Sequence, residues 1–155
     1  MKLKFFILSL TILTAVACST SKKENDEQSQ DSTAVGQEST AMDEGPGVYF
    51  ENLKDGDQVK SPVIVQMGVR GMTIEPAGEI HEGKGHHHMI IDGTYEEAGV
   101  MVPSDATHIH YGKGQTADTV ALAPGKHTLT LQFANGAHAS YGKDWSKTIG
   151  IEVIE

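Results

Sequence analysis

His127-Thr128-Leu129-Thr130-Leu131-Gln132-Phe133 is the stretch that decides the fold class. Apolar and polar residues alternate without a fault, the period of a strand with one face buried. The alternation predicts Leu129, Leu131 and Phe133 inward, with Thr128, Thr130 and Gln132 facing water. Asn135-Gly136 follows, a tight-turn signal. The next run is predicted over about Lys147 to Ile154, with Ile149, Ile151 and Val153 on one face.

Working back toward the N-terminus, the same grammar recurs. Val48-Tyr49-Phe50-Glu51-Asn52 reads as a strand and Lys54-Asp55-Gly56-Asp57 as a turn. Pro62 to Val69 is a second strand, with Val63, Val65, Met67 and Val69 on one face. A Gly-rich loop from Gly71 to Gly85 leads into the strand Gly85-His86-His87-His88-Met89-Ile90-Ile91-Asp92. Thr94 to Ala98 has room for a helical turn, His108 to Tyr111 is a short strand, and Thr119 to Leu122 is another, stopped at Ala123-Pro124-Gly125. About seven short strands separated by regular turn signals predict an all-β, antiparallel Ig-like sandwich, with a cupredoxin-like barrel as the alternative.

The sandwich is expected over residues 46–155. Residues 1–17 read as a signal peptide: Lys2 and Lys4, an apolar run from Phe5 to Leu13 broken by Ser9 and Thr11, then small residues. Ala15-Val16-Ala17-Cys18 resembles a bacterial lipobox, so Cys18, the single cysteine, is expected to be lipidated and no intrachain disulfide is available. Residues 18–45 carry two lysines against seven acids and almost no large apolar side chain. Such a chain cannot offset its own entropy and reads as a disordered acidic tether with a reach on the order of 30 Å. The expected location is the cell envelope, as an outer-membrane lipoprotein facing the periplasm or the surface.

A net charge of -9 disfavours nucleic acid as a partner. The chemistry lies in the histidines. In a strand, His86 and His88 point one way and His87 the other, while His108 and His110 share a face. Two adjacent strands of this kind bring four imidazoles to one point, so His86, His88, His108 and His110 are the expected ligands of a transition metal, copper or zinc. His87 and His138 form a second tier. Asp92 is added as a carboxylate orienting an imidazole, and Met89 (with Met101) as a thioether donor to reduced copper. Against this stands a metal-free reading, in which the histidines are structural and the domain is an interaction or adhesion module.

An enzyme is disfavoured. His81-Glu82 does not continue into a zinc-protease helix, because Gly85 stands where the second histidine belongs. There is no Gly-x-Ser-x-Gly elbow, and Gly112-Lys113-Gly114-Gln115-Thr116 reads as a turn rather than a phosphate loop. A metal-dependent envelope enzyme would need a general base, for which Glu79, Glu82 and Asp105 are candidates by proximity in sequence alone.

Three motifs, Gly85 to Asp92, His108 to Thr116 and Leu122 to Leu129, resemble in order those of the domain-of-unknown-function family 4399 of secreted and periplasmic prokaryotic proteins. The resemblance covers about Val48 to Val153. It implies no activity, since the family has none established, but it does imply that His86, His87, His88, His108, His110 and His127 belong to a pattern. Members often carry a further histidine pair after the following hairpin; here His138 is present and Tyr141 stands where the second would be.

Overall fold

The computed structural model describes residues 45–155, so the expected signal peptide, Cys18 and nearly all of the tether lie outside the described residues. Among the described residues nine strands follow one another: β1 (Gly47–Phe50), β2 (Asp57–Lys60), β3 (Val63–Arg70), β4 (Thr73–Ile74), β5 (Lys84–Ile91), β6 (His108–His110), β7 (Ala117–Val120), β8 (Gly125–Ala134) and β9 (Ser146–Ile154). A short 3-10 turn, Lys143–Trp145, precedes the last. One sheet has the order β1-β3-β7; the other runs β2-β9-β8-β5-β4, with β6 also paired to β5.

The all-β sandwich holds. Val63, Val65 and Met67 of β3 meet Met89 of β5, Leu129, Leu131 and Phe133 of β8, and Ile149, Ile151 and Val153 of β9 in one buried cluster. Each such side chain contributes roughly 1.5–3 kcal/mol on leaving water. The alternation in β3 is visible in Ile64, which stands 59% exposed between buried valines.

Four local expectations are corrected. The strands number nine rather than about seven, because Asp57–Lys60 and Thr73–Ile74 each pair too briefly to show a hydrophobic period. Both pair in parallel, β2 with β9 and β4 with β5, so the architecture is not purely antiparallel. Thr94 to Ala98 contains no helical turn. Finally, Thr130 and Gln132 do not face water: both are fully buried.

That last correction positions the site. The segment after β5 and the loop after β8 fold over the outer face of the larger sheet and supply partners for its polar residues. Thr130 Oγ1 donates to Gly93 O at 2.9 Å and lies 2.8 Å from Thr148 Oγ1. The Gln132 carbonyl accepts from Glu96 N at 3.1 Å, and its amide donates to Gly142 O and Trp145 O, each at 3.2 Å. Polar side chains can be buried here because their hydrogen bonds are made. β5, flanked by β8 and β6 and covered on both faces, is buried continuously from Gly85 to Ile90.

Candidate metal centre

Register sorts the β5 histidines onto two faces. His87 lies opposite Phe133, and Met89 opposite Leu131, on the core side; His86 lies opposite Ala134, and His88 opposite both Gln132 and His110, on the covered outer side. His110 reaches this outer face from β6. A fourth ring arrives from the loop after β8, where His138 adopts a left-handed backbone (φ 69).

That loop is tied down at several points. Asn135 Oδ1 accepts from the N–H groups of Ala137 and Ala139, both at 3.0 Å, and His138 N donates to Asn135 O at 2.9 Å. A strap from the covering segment pairs with it, Val102 N donating to His138 O at 3.0 Å and Ser140 N to Val100 O at 2.8 Å. The strained residue is therefore over-determined by its neighbours.

The four rings pack as one group. His86 lies 4.9 Å from His88, 5.0 Å from His110 and 5.1 Å from His138 between ring centroids, and His110 lies 4.7 Å from His138. His86 Nε2 and His88 Nε2 are 3.1 Å apart, as are His110 Nε2 and His138 Nε2. One nitrogen from each of His86, His110 and His138 falls within 4.8 Å of the others. His88 joins this trio through its contact with His86. Four nitrogens held about 2.0–2.1 Å from a zinc ion in a tetrahedron stand roughly 3.3 Å apart, so closure around an ion needs displacements of an ångström or so.

The electrostatics favour neutral rings. Burial pushes His86 down to about 4 and His88 down to about 3, with the neighbouring imidazoles adding to the effect, and it lowers His110 as well. Neutral imidazole is the form that ligates a metal. The Nδ1 atoms of His86 and His88 are buried with no hydrogen-bond partner among the described residues. A buried polar atom left unpaired costs free energy, and these are the second nitrogens of rings whose Nε2 atoms make the contact, so an ion held through Nε2 leaves that cost in place.

The family described as "Domain of unknown function (DUF4399)" matches residues 65–154. The chain belongs to that family. All four clustered histidines fall inside the DUF4399 match, as do the loop and strap that hold His138. No curated protein and no solved structure matches the chain.

Within this DUF4399 domain, the remaining expected site residues are placed as follows. His108 shares the outer face but sits opposite Ile90, and it is not among the converging nitrogens; its Nδ1 is 2.9 Å from Asp105 Oδ1. Met89 points into the core with no exposed surface, so strand alternation removes it as a thioether ligand. Met101 is exposed on the strap. Asp92, past the end of β5 with φ 55, turns away and binds His127 Nδ1 at 2.9 Å and Thr128 N at 3.0 Å instead of orienting a clustered ring. His87 packs against Phe133 on the core side, lowered to about 4 by burial, with neither ring nitrogen hydrogen-bonded among the described residues. His127 is a structural residue, its Nε2 donating to Ala123 O at 3.0 Å. His81 is an exposed partner of Glu75.

Sequence reasoning ranked His138 below His108, and the geometry reverses that order. Strand parity selects a face, yet His138 comes from a loop for which parity says nothing. The one sequence signal available was Asn135-Gly136, the turn that brings His138 back over the strand.

Proposed function

We propose that this domain binds a transition metal ion, copper or zinc, through His86, His110 and His138 with His88 as the fourth imidazole, for sequestration or delivery in the cell envelope. The observation that carries the reading is the convergence of four imidazoles from three separate segments, two of them fully buried, at separations close to those in a metal's coordination shell. An all-nitrogen donor set suits both metals, and copper(II) is held more tightly than zinc by any such site. Anchoring through a lipid on Cys18, at the outer membrane, belongs to the same proposal; it rests on the lipobox-like Ala15-Val16-Ala17-Cys18 and the acidic, polar segment that follows.

Calorimetric titration of the purified chain with copper(II) and with zinc, at pH 7.5 and at pH 5, tests the metal reading. One ion per chain bound at micromolar affinity or better at pH 7.5 supports it. Absence of binding at the higher pH eliminates it in favour of the second reading, a metal-free interaction module. The 3.1 Å nitrogen separations favour that alternative to the extent that they are also hydrogen-bond distances.

A further inference from the structure

His108 stands at the margin of the buried cluster in a state suited to a ligand. Asp105 Oδ1 accepts from Thr107 N at 2.8 Å, Thr107 Oγ1 at 2.9 Å and His108 N at 3.1 Å, and it lies 2.9 Å from His108 Nδ1. An ionised carboxylate only accepts, so Nδ1 carries the hydrogen and the Nε2 lone pair is left available. This is the carboxylate–histidine pairing that fixes a ligating ring. The side chain is 18% exposed, whereas His86 and His88 are closed off from solvent. His108 and His110 are two residues apart on one strand and share its face, with Ile90 and His88 opposite them.

We propose that His108, oriented by Asp105, is the capture ligand of the centre, taking a metal ion from solvent through Nε2 and passing it inward to His88 and the His86, His110 and His138 trio. The proposal rests on the metal-binding reading above. A residue that binds the ion on its way in, but not in its final place, lowers the barrier in both directions. Its loss therefore slows loading and release equally and leaves the affinity unchanged.

Stopped-flow mixing of the full chain with copper(II) at pH 7.5, read by quenching of the single tryptophan, Trp145, measures this. In His108→Gln, the association and dissociation rate constants are expected to fall together on the order of tenfold, the low end of what loss of a partner outside the coordination shell costs, with the dissociation constant within about twofold of the parent. Asp105→Ala, which frees the ring without removing it, is expected to slow both steps to a smaller extent. Unchanged rates in His108→Gln overturn the proposal, and so does a weakened affinity at an unchanged association rate, which would make His108 a resident ligand. If the parent chain binds no copper, the metal-binding reading itself has failed; if it binds and the variant loads at the parent's rate, only the role of His108 has. Circular dichroism of both variants excludes misfolding as the cause of a slowed reaction.

Discussion

His138 Nε2 lies 3.1 Å from His110 Nε2 across 28 residues of chain. The contact joins a loop residue in a left-handed conformation to a strand residue, and it completes the group begun by His86 and His88. Removing either ring is expected to weaken copper(II) binding by more than the roughly 10–100-fold that follows loss of an outer partner. His138→Ala and His110→Ala should therefore fall together in a calorimetric series, with His87→Ala, on the other face of β5, leaving the affinity near the parent's.

Gly112 controls the position of His110. A Cβ added there would stand 2.2 Å from His110 Cε1 and 2.3 Å from its Nε2. The side chain meets the movable end of an imidazole rather than backbone, so the ring is displaced and the fold is kept. Gly112→Ala is expected to lose metal binding as His110→Ala does, while its denaturant midpoint stays close to the parent's.

Acid should destabilise the metal-free domain. His86, His87 and His88 sit at about 4, 4 and 3 when folded, against 6.5 for an unencumbered imidazole, because burial opposes their charged form. Between those values the unfolded chain binds more protons than the folded one, so stability is full above about pH 6.5 and is lost as pH falls toward 4. Each group contributes on the order of 3 kcal/mol to that loss. His127 acts oppositely: Asp92 raises it, so its smaller contribution is present at low pH and disappears as pH rises through its folded value. Urea unfolding at pH 7.5, 5.5 and 4.5 measures the net slope, and His88→Leu should flatten it.

Gln132 tests the covered face independently of any metal. Its amide holds Gly142 O, Trp145 O and Glu96 N, which belong to the two segments lying over the cluster. Gln132→Leu takes this partner from Glu96 N and Trp145 O, while Gly142 O keeps its bond from Trp145 N, and is expected to cost about 1–3 kcal/mol per orphaned group in thermal or urea unfolding. Because the same segments carry His138, metal affinity should drop as well.

Much of this was legible in the sequence where a residue had strand neighbours. The period of Leu129, Leu131 and Phe133 fixed the core face of β8, and parity in β5 separated His87 from His86 and His88. What escaped was whatever depended on the other side of that sheet. Thr130 and Gln132 read as solvent-facing because amphipathic alternation cannot distinguish a wet face from one roofed by a loop that satisfies its hydrogen bonds. His108 reads as a member of the converging group because parity gives the face and not the depth, and the Asp105 contact that fixes its ring at the margin is local to a turn. His138 was undervalued because a long-range loop closure leaves no period in the chain.

X-ray absorption of the copper-loaded chain reads the ligand shell of the ion itself. Three or four imidazole nitrogens at about 2.0 Å are expected, reduced by one in His138→Ala. A shell dominated by oxygen, with one imidazole or none and no change in that variant, would contradict the proposed centre.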